Sequence, residues 1–398
     1  MLRKIINTTL FLPLSFFVTF QQSILSENKN FIDEIIRINE DKIFIDHQEI
    51  KNIILNNDEL KSLEELIEAS SFNLSSKIAK RYPSIDLQAN GLPKYVVGRN
   101  YNSNSNTTKT SQFSVNPSIN MRWDLIDPLR GPEIKIAREN LKIAKNNYEI
   151  KRKDLIQEAS TRYHKYQKSS QDIVNKKLAL DLSMTSLENA QAKLDAGIGT
   201  KFEVLEADAQ LSRDKQALYE KKIEHQINKI SLKEILNLKE DFEIKKEQKL
   251  LGYWNHKLNK NIKNGLESNL SLKNISLQKS IKDNEANSFL NSNKPSIYIS
   301  NSLSSAFTKG DSLAIDIDPN EYGSSYSNTI SLNLSWNIFN GGKNKNSYKS
   351  RKSQAKGEEY SYNNLKSVLK TNITKAYLNL KLNEEKILST SKETLSTK

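Results

Sequence analysis

The sequence of 398 residues lacks several patterns that would each point to a chemical function. It contains no cysteine, which excludes disulfides, thiolate catalysis and cysteine-ligated zinc. Its four histidines are scattered without the spacing of metal ligands. Gly197 and Gly199 follow a predicted helix rather than a strand, so they do not fit a dinucleotide-binding loop. We therefore predict that the protein is not an enzyme and needs no metal or cofactor.

Long apolar runs are missing as well. After the N-terminus no segment reaches the roughly 18 consecutive apolar residues of a membrane-spanning helix, so any span would have to be built from strands. Only 36% of the residues are hydrophobic, which is low for a chain of this length and argues against one large compact core. Extended elements that each bury a narrow apolar stripe fit this composition better.

Charge is abundant, but both signs are interspersed along most of the chain. The 60 lysine and arginine residues outnumber the 47 aspartate and glutamate residues, which gives a net charge of +13. Mixed charges at high density are typical of solvated helix faces. Because basic arms and known nucleic-acid motifs are also missing, we predict no nucleic-acid partner.

The N-terminus has the pattern of an export signal. A short basic region, Met1 to Lys4, is followed by an apolar run from Thr8 to Phe20 that contains a proline. This run is too short and too poorly flanked for a stable membrane span. We predict a secretory signal peptide over residues 1–26 and export of the protein.

The rest of the chain contains an internal duplication. The segment that begins at Pro83 returns at Pro295, Trp123 returns as Trp336 and Tyr163 returns as Tyr377, each about 210 residues further along. We predict a first structural repeat over 27–250 and a second over 251–398, each with a helix followed by a strand pair and a long helix.

The strand pairs are predicted at 83–123 and 295–336, where apolar and small polar residues alternate. The segments from Gly91 to about Gln112 and from 303 to 327 are predicted as loops. An apolar face that ends in an aromatic residue is typical of a lipid-facing barrel strand, although a half-buried strand of a soluble sheet reads similarly. The predicted lipid-facing residues are Ile119, Met121, Trp123, Ile330, Leu332, Leu334 and Trp336.

A helical hairpin is predicted at 132–236. From Ile134 onward the apolar residues recur in steps of three and four, which is the seam of a coiled coil. Gly197 and Gly199 interrupt the helix, and Thr200 can cap the next one. We therefore predict two antiparallel helices with the tip of the hairpin at 196–200.

Three segments resemble the TolC family of outer-membrane channel proteins. The first is the tip, where the family shows a glycine, a gap, an acid followed by Val-Leu, an alanine and a leucine. The second is the strand end from Trp336 to Gly342, and the third is Ala376-Tyr377-Leu378. The first repeat departs from the strand-end motif, with Pro128-Leu129 where the glycines would fall. The tip residues that match are Gly197, Glu203, Val204, Leu205, Ala207 and Leu211.

The resemblance covers about residues 45 to 398 and implies a mainly α fold with β. Three protomers would pool four strands apiece into one transmembrane β-barrel in the outer membrane. Their helices would form a long α-helical coiled-coil barrel in the periplasm.

The implied function is a passive exit duct of a tripartite efflux pump or type I secretion system. It works with a periplasmic adaptor and an inner-membrane pump. The periplasmic tip, which gates the duct and contacts the adaptor, would be formed by Gly197, Ile198, Gly199, Thr200 and Glu203.

Two other functions remain open at this point. The chain could be the periplasmic adaptor itself, which also has a long helical hairpin but should carry glycine-rich lipoyl-like half-motifs on either side of it. It could also be a cytosolic coiled-coil scaffold, which predicts neither a signal peptide nor segments that alternate with period two.

The second repeat is shorter than the first. Matching Tyr377 to Tyr163 places Lys398 opposite Met184, so the helix predicted at 343–398 reads as truncated and has no tip of its own. We expect from this that the 398-residue product forms loose trimers and is a weak or non-functional channel.

Overall fold

A computed structural model describes residues 43–101, 107–244, 254–311 and 322–396. The predicted signal peptide at 1–26 lies outside these ranges. The strands are β1 (Ile43–Ile45), β2 (Ser84–Tyr101), β3 (Thr107–Ile126), β4 (Phe242–Ile244), β5 (Ser296–Asp311) and β6 (Tyr322–Ser335). The helices are α1 (Ile50–Ile53), which continues as a 3₁₀ turn (Ile54–Asn56), α2 (Asp58–Ala79), α3 (Arg130–Asp195), α4 (Lys201–Ile235), α5 (Leu258–Ser268), α6 (Leu270–Asn291) and α7 (Lys343–Ser396).

The chain divides into two compact units. Of the described residues, the first unit contains those up to 61 and from 151 to 244, and the second contains those from 62 to 150 and from 254 to 396. This division cuts across the two sequence repeats, because the strand pairs of both repeats join in one sheet of the second unit. None of the helices in the described ranges has both the length and the apolarity needed to cross a membrane.

The sheet of the second unit has four antiparallel strands in the order β2-β3-β5-β6. Its strands are longer than predicted, since most of the two segments predicted as loops is paired. Pairs of small hydroxyl side chains, such as Ser304 and Ser327 at 3.0 Å, hold these extensions across the strands. The single register shift in the β2–β3 ladder includes Gly91, whose φ of +77° suits glycine.

Helices α5 and α6 of the second unit pack along α7. Ion pairs join α6 to α7, with Lys279 Nζ 2.7 Å from Glu359 Oε2 and Lys352 Nζ 2.7 Å from Asp283 Oδ1. Gly265 allows α5 to approach closely, because a Cβ at this position would lie 2.7 Å from Ile373 Cδ1. The second unit thus joins the sheet to a layer of long, polar helices.

The first unit contains a small core around a two-stranded parallel sheet. Strand β1 pairs with β4, and Ile45 and Phe242 from these strands are fully buried. Tyr163 and Tyr166 of α3 and Leu232 of α4 pack in the same core with at most 2% of their surface exposed. Each helix contributes a narrow stripe to this core, as expected from the low hydrophobic content.

Candidate functional site: a two-faced sheet and a helical tip

The four-stranded sheet has one apolar and one polar face. Residues directly opposite each other in antiparallel strands point to the same side, so the register assigns each side chain to a face. Ile119 of β3 lies opposite Leu87 of β2 and Leu303 of β5. Leu332 of β6 lies opposite Ile299 of β5, which in turn lies opposite Trp123. The apolar face is therefore continuous across all four strands.

The predicted lipid-facing residues of β3 and β6 lie together on this face. Ile330, Leu332 and Leu334 expose 73%, 70% and 66% of their surface, so no part of the chain that the structure describes covers them. Trp336 follows the end of β6, and its indole N–H donates to the Asn293 carbonyl at 2.8 Å. The indole of Trp123 donates likewise to the Arg81 carbonyl at 3.0 Å. The two tryptophans thus occupy matching places in the two strand pairs.

A second group of aromatic residues marks the other end of the apolar face, and the sequence patterns did not point to it. The Tyr95 and Phe113 rings stack at 4.4 Å, and Phe113 is followed across the sheet by Lys309 and Tyr322. From Phe113 to Trp123, about 3.4 Å per residue and a tilt of about 40° give roughly 26 Å along the membrane normal. That height is close to the ~25 Å apolar band of outer-membrane barrels.

The apolar face also contains polar side chains, among them Asn301 and Asn328, of which the latter lies opposite Leu303. Asn301 lies between Met121 and Ile330, and its side-chain amide donates to Asn328 Oδ1 at 2.8 Å. The opposite face is a ladder of hydroxyl and amide groups. In this ladder Asn333 Nδ2 donates to Ser300 Oγ at 2.9 Å, and Ser302 Oγ donates to Asn120 Oδ1 at 2.8 Å. Such a face suits water, whereas its reverse suits lipid.

The sheet has two open edges. Within the described residues β2 pairs only with β3, and β6 pairs only with β5. An outer edge of backbone N–H and C=O groups is costly in hydrocarbon, because no water is there to satisfy it. A sheet with this apolar face therefore needs a partner strand at each edge before it can lie in a membrane.

The tip between α3 and α4 is closed by a Schellman motif. The Gly197 N–H donates to the Leu194 carbonyl, and the Ile198 N–H donates to the Lys193 carbonyl, both at 3.0 Å. Gly197 has a φ of +76°, where an L side chain is strained. Gly199 is needed for a different reason, because a Cβ there would lie 2.9 Å from the Lys193 Cβ.

Thr200 and Glu203 form a capping box at the start of α4. The Glu203 carboxylate accepts from the Thr200 N–H at 2.9 Å, and the Glu203 N–H donates to Thr200 Oγ1 at 3.3 Å. Two of the orphan donors at the helix start are thereby satisfied. The structure thus gives the carboxylate of Glu203 a partner within its own helix.

The tip also exposes apolar side chains beside an acidic groove. Ile198 exposes 80% of its surface and Phe202 exposes 72%. Between α3 and α4 lies an open groove of about 610 Å³. Leu187, Ala192, Val204 and Leu205 are its apolar lining, and Glu188, Asp195 and Asp208 its carboxylates. Such a surface suits apolar and basic side chains of a partner.

Three histidines that are far apart in sequence lie in the first unit, where His47 and His225 are partly buried and His164 is exposed. The His47 ring lies 4.9 Å from that of His164, and the His225 ring stacks on Tyr166 at 4.5 Å. Burial lowers the pKa of His47, as do the neighbouring His164 and Lys51, against the opposing effect of Asp46. Burial and Lys229 lower the pKa of His225, whereas Glu243 raises it.

Acidification is therefore expected to destabilise this unit. Because the folded pKa values lie below the ordinary 6.5, the unfolded chain binds more protons. Neutral His47 and His225 therefore contribute their full stability above pH 6.5, the ordinary pKa. This contribution is lost as the pH falls below 6.5 toward the pKa values of the folded state. Thermal melting from about pH 7.5 to about pH 5.5 should show a decline that His47→Gln with His225→Gln reduces. The exposed His256→Gln is the control, and an unchanged decline in the double variant would contradict this assignment.

Comparison with known proteins supports one family. The family model described as outer membrane efflux protein matches residues 50–238. No curated protein is similar enough to this sequence to count as a match.

Solved outer-membrane channels have the same fold. CusC superimposes with a TM-score of 0.67 at 15% identity, over 89% of this chain and 80% of that one. The outer-membrane channel OprN gives a TM-score of 0.71 at 14% identity, over 86% and 76%. The CmeC outer membrane channel of Campylobacter jejuni gives 0.64 at 15% identity, over 87% and 76%. These likenesses show that the chain has the fold of TolC-like channels, and the family model shows that residues 50–238 are similar to outer membrane efflux proteins.

Proposed function

We propose that the protein is one protomer of a trimeric, passive exit duct that crosses the outer membrane and extends into the periplasm. The observation that carries this proposal is the four-stranded sheet, with an apolar face bounded by aromatic residues and a polar reverse face. The duct would serve a tripartite efflux pump or a type I secretion system.

The open edges of the sheet support the trimer. Four strands are too few to close a barrel, since the smallest membrane barrels have about eight strands. Three copies would supply twelve strands and would pair β6 of each protomer with β2 of the next. This arrangement leaves no edge in the lipid.

The tip supports contact with a periplasmic adaptor that connects the duct to an inner-membrane pump. The apolar side chains of Ile198 and Phe202 face solvent, and the nearby groove combines apolar and acidic groups. A partner hairpin with leucine and basic side chains would bury the former and pair with the latter. Gly197, Gly199, Thr200 and Glu203 hold the shape of this surface rather than offering the contact groups.

The two other functions fit less well. In an adaptor, lipoyl-like half-motifs would flank the hairpin, whereas here β2 and β3 form a strand pair and β3 ends just before α3. In a cytosolic scaffold an exposed apolar face of a sheet would have no role. The proposal explains both the sheet and the hairpin.

Cross-linking from the tip tests the proposed partner. Because the chain has no cysteine, Ile198→Cys introduces a single thiol at the tip. We expect a thiol cross-linker in cells to capture a protein that mass spectrometry identifies as a periplasmic adaptor. Ile227→Cys, at a residue 60% exposed on α4, is the matched control away from the tip and should capture much less. Capture of nothing, or only of barrel-assembly factors, would count against the proposal.

A further inference from the structure

The polar face of the sheet carries little net charge. Its residues in the described strands are mostly serine, threonine, asparagine and glutamine. The charged residues on it are Asp86, Lys94, Arg122 and Asp124. Two are acidic and two are basic, so their formal charges cancel. This neutrality contrasts with the chain as a whole, whose net charge is +13.

The positive charge of Arg122 is balanced by the neighbouring carboxylate of Asp124. Its Nη2 lies 2.8 Å and its Nε 3.1 Å from Asp124 Oδ1. The guanidinium carbon also lies 3.7 Å from the centre of the Tyr298 ring, and Tyr298 is the register partner of Asp124. The side chains of Arg122 and Asp124 remain 52% and 36% exposed, so their charges face the solvent side of the sheet.

We propose that Asp124 sets the ion selectivity of the strand section of the duct, by cancelling the charge of Arg122. This inference rests on the proposed function, which turns the polar face toward the interior of the duct. Apart from Asp86 and Lys94, whose formal charges also cancel, the remaining lining consists mostly of hydroxyl and amide groups, which both donate and accept hydrogen bonds and favour neither sign. The section therefore passes polar solutes of either charge, and uncharged ones, alike.

In a trimer the charges of this pair are present three times around the passage. In a trimer the Arg122 side chains of all protomers lie at one level of the passage. Without Asp124 they would form a ring of positive charge, which attracts anions and repels cations within about one Debye length. Without Arg122, the Asp124 carboxylates would do the reverse.

A local probe separates this section from the tip. Ser300 is the register partner of Arg122, so Ser300→Cys places a single thiol beside it in a chain without other cysteines. Rates of modification by anionic and cationic methanethiosulfonate reagents are measured on the trimer in vesicles at low salt, each relative to a free thiol.

In the Ser300→Cys parent the anionic-to-cationic ratio should match that of the free thiol. Asp124→Asn should raise the ratio about fivefold and Arg122→Gln should lower it about fivefold. Combining both substitutions should restore the parent ratio. Lys309→Gln is the control, because Lys309 pairs with Phe113 on the apolar face and should leave the ratio unchanged. The same rates measured with Ser302→Cys as the parent show whether the result depends on the position of the thiol.

The outcomes distinguish a failure of the selectivity inference from a failure of the proposed duct. A ratio that Asp124→Asn leaves unchanged, or a parent ratio far from that of the free thiol, would overturn the selectivity inference alone. A thiol that neither reagent reaches in the membrane-inserted trimer would contradict the duct itself.

Discussion

Arginine in place of Leu332 is expected to prevent stable insertion of the sheet into the membrane. Leu332 lies in the middle of the apolar face, between Ile330 and Leu334, and exposes 70% of its surface within one protomer. An arginine on the lipid face near the bilayer midplane costs about 2–4 kcal/mol. Three copies in a trimer would each bear this cost. Urea titration of the protein in lipid vesicles measures the loss.

Ser331→Arg is the matched control for this experiment. Ser331 is the adjacent residue but faces the other way, and its hydroxyl is 2.8 Å from that of Ser300 on the polar face. An arginine there would reach water, so we expect a loss well below that of Leu332→Arg. Equal tolerance of the two arginines would contradict the assignment of the faces.

Alanine in place of Tyr163 is expected to cause the largest loss of stability in the first unit. Tyr163 is fully buried, and its ring contacts those of His47 and His164 at 5.5 and 5.6 Å. Removing a large aromatic side chain from a core costs about 3–5 kcal/mol, because a cavity remains. The free energy of unfolding from urea titration, followed by far-UV circular dichroism, gives the magnitude.

The internal duplication supplies the control. Tyr377 is the counterpart of Tyr163 in the second repeat, but it is only partly buried and lines an open cavity of about 480 Å³ with Trp254 and Ile373. Tyr377→Ala should therefore cost clearly less than Tyr163→Ala. A comparable loss at both positions would show that burial of Tyr163 does not have the importance assigned to it.

The sequence predicted the face of each strand better than its length. The alternation of Ile330, Leu332 and Leu334 with small polar residues predicted that these three side chains share one face of β6, and the register places them on the apolar face. The alternation did not reveal that β5 extends as far as Asp311 or that β6 already begins at Tyr322. In those extensions both faces contain serine, so hydrophobicity has no period, and pairing with the neighbouring strand decides the conformation.

At the tip, the sequence predicted the position of the turn but not the separate reasons for its two glycines. A pair of glycines after a helix indicates a left-handed residue, and Gly197 is that residue. Gly199 has no positive φ and is required by its distance from Lys193, which only the folded turn shows. The proposed adaptor surface likewise depends on exposure, since both Ile198 and Phe202 face solvent.

The histidine cluster could not be predicted from sequence. His47, His164 and His225 have no common spacing, and His164 and His225 sit in charged helical stretches. They reach the same unit because β1 and β4, each of only three residues, pair between segments that are distant in sequence. Such short strands carry too little pattern to be recognised, and long-range packing decides their partners.

The number of subunits in the membrane-inserted protein tests whether three protomers close one barrel. Native mass spectrometry of protein released from lipid nanodiscs counts the chains, each of 45.5 kDa before any removal of the predicted signal peptide. Three chains are expected, because three sheets of four strands pair every edge and close one barrel around the polar faces. A folded, membrane-inserted monomer or dimer would contradict it.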